Sequence, residues 1–285
     1  MSAAANPRTR RFVEPSALGG FWPALGFTVC YLSFFVLLPL AALALRPWEL
    51  GVSGVWRVLS APRTVSALEL SFGAAFIAAC INIVFGTIAA WSLVRYEFPG
   101  KRILDALVDL PFALPTAVAG IALTAIYAPH GIMGQLLTPL GIRAAYTPIG
   151  IVIALIFVGF PFVVRSIQPV LEDLDPEVEE AAATLGAARW RTLTHVVFPA
   201  ITPAIITGFA LAFARAVGEY GSVIFIAGNI PQISEIAPLL IVIRLDEFDY
   251  AGAAAIGLAM LSISFVLLFV LNALQAGILR RGAQN

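Results

Sequence analysis

Histidine and cysteine are almost absent from this chain of 285 residues, which has two of each. His130 and His195 belong to no H-E-x-x-H pair and to no His/Cys/carboxylate cluster able to hold a metal. Cys30 and Cys80 fall inside apolar runs, where a small buried side chain accounts for them without a disulfide or a redox role. A G-x-S-x-G turn is lacking, so a serine nucleophile has no support. The phosphate loop G-x-x-x-x-G-K-[ST] is lacking as well, which excludes ATP hydrolysis by that route. Charge is scarce and balanced: 17 basic and 17 acidic residues make up 12% of the chain, and nothing points to nucleic acid or to a broadly charged partner. An enzyme is disfavoured. Solute movement or scaffolding remains.

What the sequence does have is apolar length. Hydrophobic residues make up 60% of it and the mean hydropathy is +0.93, far from the balance of a water-soluble domain. The runs are long and lack in–out alternation, so they predict an all-α membrane protein and not a barrel. A span needs about 20 apolar residues, and six runs qualify: 21–45, 67–94, 107–128, 148–168, 200–227 and 252–277. Pro39, Pro111, Pro115, Gly120, Pro161 and Gly208 fall within them and predict kinked, closely packed helices. Arg8, Arg10 and Arg11 precede the first run and Ala42-Leu43-Ala44 resembles a cleavage site, but the run exceeds the roughly 7–15 residues of a signal core, so an uncleaved anchor is expected.

Lys and Arg in the connecting segments set the orientation. With the N-terminus inside, one side holds Arg8, Arg10, Arg11, Arg95, Lys101, Arg102, Arg165, Arg189, Arg191, Arg280 and Arg281. The other holds Arg46, Arg57, Arg63, Arg143 and Arg244, while Arg215 lies within a span. Both termini are therefore expected in the cytoplasm, together with the polar interval between the fourth and fifth runs.

That interval is the most informative stretch of the chain. Asp175 can cap a helix, Pro176 suits its first turn, and Glu177, Glu179 and Glu180 complement the positive end of its dipole. Gly186 allows a sharp change of direction before a second short helix from Ala187 towards Pro199. The small faces of Ala181 and Ala182 suit insertion into a partner's groove. A solvated loop with an amphipathic turn is the plainer alternative.

The spacing resembles a known pattern. Glu180-Ala181-Ala182, three residues, Gly186, nine residues and then Val196-Val197-Phe198-Pro199 is similar to the EAA motif of ABC importer permeases, whose last positions are commonly Ile-x-Leu-Pro. RYEFPG at 95–100, LDALVDLPFALPTAVAG at 104–120, PFVVR at 161–165, QPVLE at 168–172, IFIAGN at 224–229 and RLDEFDY at 244–250 resemble the sulfate permease family, most of all its T-type (CysT/CysU) subunits. The resemblance runs from the first span to the last.

It implies six transmembrane helices in the type I ABC importer permease fold, in the bacterial inner membrane. A permease domain at 21–279 would contain a core at about 66–275 and a coupling segment at about 175–199, between cytoplasmic tails at 1–20 and 280–285. The implied partners are two copies of an ATPase subunit, a W-type permease, a periplasmic binding protein delivering sulfate or thiosulfate, and membrane lipid. ATP and Mg would sit on the ATPase, with no cofactor on this chain, and Glu180, Ala181, Ala182, Gly186 and Pro199 would take part in the coupling contact. A molybdate or tungstate importer permease shares the fold, the coupling motif and a tetrahedral dianion, so the family segments carry the discrimination. A self-sufficient secondary carrier would require repeated halves, of which there is no persuasive sign.

Arg215 and Glu219 stand four apart in the fifth run, where charges are costly unless paired or facing water. An ion pair is expected, with two readings: a structural pair that fixes helix packing against the partner permease, or a lining of the translocation path in which Arg215 meets a dianion and Glu219 keeps the site from trapping it. Asn82 and Asn272 are candidates for hydrogen bonds between helices. Asp246, Glu247 and Asp249 surround Arg244 in an expected outer loop.

Overall fold

The computed structural model describes residues 21–175, 180, 182 and 184–282. It divides into two units, one ending at Leu45 and one beginning at Arg46. Among the described residues six helical stretches are long and apolar enough to cross a membrane: Phe21–Leu59, Pro62–Arg95, Thr116–Leu140, Pro148–Glu172, Arg189–Val217 and Tyr250–Ala273.

In the first unit α1 (Phe21–Leu32) passes through a π-helical turn at Ser33–Leu37 into α2 (Leu38–Leu45). Proline lacks an N–H and its ring presses on the carbonyl four residues back; widening the turn just ahead of Pro39 relieves that pressure. None of these residues is buried, and Phe27, Tyr31 and Phe35 form a ring column at four-residue spacing.

The second unit opens with a 3₁₀ turn, Arg46–Leu50, and continues through α3 (Gly51–Leu59) and α4 (Pro62–Arg95) to α5 (Lys101–Val108) and α6 (Leu110–Ala113). Then follow α7 (Thr116–Tyr127), α8 (Ile132–Leu137) and α9 (Pro148–Glu172). Beyond the polar interval come α10 (Arg189–Thr192), a second π turn at Leu193–Val197, and α11 (Phe198–Val217). The chain closes with α12 (Val223–Ile226), α13 (Ala237–Asp246) and α14 (Tyr250–Gly282).

The core is the seam where α4, α9 and α11 pack on one another. Their small residues permit it: Ala67, Ser71, Ala74, Ala75, Ala78, Ala79, Asn82, Gly86 and Ala90 form one buried stripe on α4. In lipid the drive to associate is close packing and not escape from water, so backbones must approach. A methyl on Gly86 would sit 2.8 Å from Val163 Cγ1, and one on Gly159 would sit 2.6 Å from Asn82 Nδ2. Asn82 uses that space to donate to the Ile156 carbonyl at 3.2 Å, as expected for a polar tie between helices. Asn272 is exposed, and the polar residue of α14 that reaches α11 is Gln275, which donates to Thr207 Oγ1 at 2.9 Å.

Several expected span ends change. The third begins at Thr116 and not at 107, because Leu114 before Pro115 is extended (ψ 120°) and interrupts the helix. The fifth ends at Val217 and not at 227. The helix that carries Arg215 stops before Gly218, so Glu219 lies beyond it and not on one face of it. The last helix continues past the expected 277 to Gly282.

Residues 218–236 form a hairpin that is irregular apart from α12, which packs against α7 and α9, with Val223, Ile226 and Ala227 buried. Irregular backbone of this kind is tolerated between spans only where protein or a water-filled cavity satisfies it. Ser71 Oγ accepts from the Ala237 N–H at 2.8 Å, Ser234 Oγ accepts from Ile230 N–H at 3.1 Å, and the Ile226 carbonyl accepts from Tyr146 N–H at 2.6 Å. At its outer limb Arg63 grips buried Glu235 with two parallel hydrogen bonds, Nε to Oε2 at 2.8 Å and Nη2 to Oε1 at 2.7 Å.

Gly120 of α7 lies against this hairpin so closely that a Cβ would be 2.4 Å from the Ser222 carbonyl oxygen. Gly120→Ala is expected to lower stability by roughly 1–3 kcal/mol through forced backbone shifts. Gly73→Ala on α4, where a methyl meets nothing within 4 Å, is expected to be neutral or to stabilise by up to ~1 kcal/mol. Thermal unfolding of the two variants in detergent checks the contrast.

Candidate functional site

The polar interval is described in part: Pro176, Glu177, Glu179 and Ala181 lie outside the described residues. Glu180 is helical and exposed, and Ala182 is half-buried. Gly186 takes the left-handed conformation, φ +79°, and the Ala187 N–H donates back to the Ala182 carbonyl at 3.0 Å. This six-to-one bond is the Schellman arrangement, which ends the helix at the glycine expected to turn it. The second helix starts at Arg189 but does not stop short of Pro199. The π turn, closed by the bond from Phe198 N–H to the Leu193 carbonyl, carries it through exposed Pro199 into α11. The expected two short helices are thus one short helix and the opening of a long one. On either side of the turn, Leu185 is 88% exposed and Trp190 72% exposed.

Arg215 and Glu219 do pair, Nη1 to Oε2 at 2.5 Å. The other carboxylate oxygen, Oε1, accepts from the Ser222 N–H at 2.9 Å and from Ser222 Oγ at 3.0 Å. Glu219 is buried, and these partners satisfy both its oxygens, while the Arg215 side chain keeps 35% of its surface. The turn rests on the start of α7, since a Cβ on Gly221 would fall 2.1 Å from Thr116 Oγ1. The arrangement holds an anchored carboxylate and offers the open side of a guanidinium.

A third cluster is not singled out by sequence reasoning. Arg165, near the end of α9, gives Nε to Asp109 Oδ1 at 2.8 Å and Nη2 to Asp109 Oδ2 at 2.7 Å. Its Nη1 donates to Asp105 Oδ1 at 2.7 Å and Gln168 Oε1 at 2.5 Å, and its Nη2 donates to the Asp105 carbonyl at 2.9 Å. All five donors of the guanidinium are used. One turn earlier Phe162 meets Phe112 of α6 edge to face, with centroids 5.1 Å apart. Only the i, i+4 spacing of Asp105 and Asp109 hinted at a shared partner. Beside the cluster lies a groove of about 810 Å³, lined by Glu97, Lys101, Arg102, Asp105, Gln168 and Glu172 among others. Asp249, expected in a solvated loop, instead pairs with Arg244 at 3.0 Å and accepts from the Gly252 N–H at 2.9 Å, which caps α14.

The hydrogen bond from Arg165 holds the Asp109 carboxyl below its ordinary range, against the smaller opposing effect of burial. A carboxylate with a depressed folded pKa contributes stability that is fully present above the unfolded value, about 3.9, and is lost as pH falls through the folded value. The Asp109 side chain is half-exposed, so solvent screening keeps the contribution on the order of 1 kcal/mol or less. Asp109→Asn is therefore expected to unfold at a lower temperature than the native chain near neutral pH, with the gap closing once the medium is acid enough to protonate Asp109. Paired melts across an acid series measure it.

The profile of the family described as "Binding-protein-dependent transport system inner membrane component" matches residues 82–281. A probable sulfate transport system permease protein cysT of Chlorokybus atmophyticus is 50% identical over 255 residues, covering 90% of this chain and 89% of that protein. The sulfate transport system permease protein CysT of Escherichia coli K12 is 47% identical over 264 residues, covering 93% and 95%. Among solved structures, a bacterial alginate ABC transporter in complex with an alginate pentasaccharide-bound periplasmic protein superimposes with a TM-score of 0.75 at 16% identity, over 90% of this chain and 94% of that one. A second, of a bacterial ABC transporter involved in import of alginate, gives 0.74 at 16% identity, over 90% and 95%. The fold is that of ABC importer permeases, and the chain belongs to the family of binding-protein-dependent transport system inner membrane components.

Proposed function

We propose that this chain is the T-type membrane-spanning permease subunit of an ATP-driven importer that moves sulfate and thiosulfate across the bacterial inner membrane. The observation that carries the reading is the likeness, over more than nine-tenths of both chains, to a sulfate transport permease at 47% identity. The chain is a transport component and not an enzyme. Two ATPase subunits, holding ATP and Mg, and a W-type permease complete the membrane complex, and a periplasmic protein delivers the anion. Both termini face the cytoplasm, as the Lys/Arg count requires.

Residues 175–199 form the coupling segment. Glu180, Ala181 and Ala182 supply the start of the motif, with Glu180 and Ala182 helical, Gly186 sets the turn, and Pro199 marks where the segment joins α11. Leu185 and Trp190 stand clear of the protein on both sides of that turn, a pair of apolar anchors suited to a groove on the ATPase. ATP-driven closure of the ATPases moves this segment and turns the permease pair between inward- and outward-facing states. Arg215 lines the path: its open side gives a dianion a transient positive contact, and the bond to Glu219 weakens that contact enough for release. Specificity rests mainly with the binding protein.

Co-purification tests the coupling contact. Native chain is expected to capture the ATPase, and Glu180→Lys or Gly186→Glu to lose at least ten-fold of it; labelled sulfate uptake without any ATPase would instead establish a secondary carrier. Molybdate taken up in preference to sulfate and thiosulfate would transfer the reading to a molybdate importer. For the path, Arg215→Lys is expected to assemble normally while sulfate uptake falls on the order of ten-fold, about 1.4 kcal/mol. Failure of that variant to assemble would leave the pair as a structural tie.

A further inference from the structure

We infer that Arg165 is a positioning residue for coupling, locking the inner end of α9 to the α5–α6 bracket so that motion of the coupling segment reaches the Arg215–Glu219 turn. The inference rests on the reading of 175–199 as the segment that meets the ATPase.

The contacts form an unbroken chain. α9 ends at Glu172, three residues before that segment begins, and Arg165 lies two turns inside it. Arg165 spends every donor on Asp105, Asp109 and Gln168, and the Asp109 pairing is two-pronged, which fixes the guanidinium in orientation as well as in distance. The Phe112–Phe162 contact adds a second tie between α6 and α9, so the two cannot slide or pivot independently. α6 leads through Leu114 and Pro115 directly into α7. There Thr116 and Gly120 abut Gly221 and Ser222 with no room for even a methyl group. Ser222 in turn holds Glu219, and Glu219 holds Arg215. Packed contacts of this kind transmit displacement because they do not compress. A lone ion pair at the end of a span, by contrast, would only add local stability.

The test uses the whole complex, with the companion permease, the ATPase and the binding protein, in sealed proteoliposomes. Arg165→Gln is expected to retain captured ATPase and ATP hydrolysis within two-fold of the native complex, while sulfate imported per ATP hydrolysed falls about ten-fold. Arg165→Lys and Asp109→Asn, which keep part of the bracket, should fall less. An unchanged ratio, or transport and hydrolysis declining together with the yield of complex, overturns the inference. A native complex that captures no ATPase fails at the underlying reading and takes the inference with it.

A second measurement needs no clamp variant. With Cys30 and Cys80 replaced by alanine, spin labels at Ile103 and Asp173, both exposed, should keep their separation when the ATPase is trapped with vanadate. A change of several ångström would show that the bracket and the end of α9 move apart, and would end the proposal even if the Arg165 variants failed to fold.

Discussion

Inside a membrane bundle each backbone N–H and C=O must find its partner in the protein, and residues 218–236, helical only over Val223–Ile226, are where this chain meets that constraint with little helix to satisfy it. Much else in the second unit serves the hairpin. α4 supplies Ser71 to its outer end and Arg63 to Glu235, and the α8–α9 connection supplies the Tyr146 N–H to Ile226. α7 supplies a glycine where the backbones touch. Glu219 makes the hairpin's first turn by accepting from Ser222, and in doing so becomes the fixed partner of Arg215. A structural requirement and the placing of a charge on the candidate path are met by one carboxylate.

Close approach is the means by which the hairpin is held. Glycines at 86, 159 and 208 bring α4, α9 and α11 together, so that the packing of small residues, and not bulk hydrophobicity, fixes the seam. Large apolar side chains are instead on the outside. Phe76, Phe85 and Ile88 of α4 are all exposed on the helix whose alanines are buried, the reverse of a water-soluble helix. The three proline-linked features share one cause: the π turns ahead of Pro39 and Pro199 and the break at Pro115 each relieve the backbone ahead of a ring that cannot donate.

The polar interval was legible to a large degree. Gly186 was expected to turn the chain, and it does so with a left-handed backbone that glycine adopts without strain. The ends of the third and fifth spans were not legible in the same way. Hydropathy counts apolar residues and is blind to where a helix stops, so 218–227, mostly apolar, continues the fifth run in sequence although the helix has already ended at Val217. Likewise 107–114 is apolar enough to begin a span, but the clamp on Arg165 holds it as a bracket beside α9.

The sequence by itself determined membrane class, the number of spans, the polar interval with its turn, and the family, because length, apolar content and motif spacing are local properties of the chain. Tertiary structure alone decided which charges far apart in sequence meet. Arg63 finds Glu235 across 172 positions and Arg165 finds Asp109 across 56, and no periodicity encodes either pairing. For Glu235 the partner is selected by the low-dielectric surroundings that folding creates, where an unpaired charge costs several kcal/mol. Until the helices have packed, that environment does not exist.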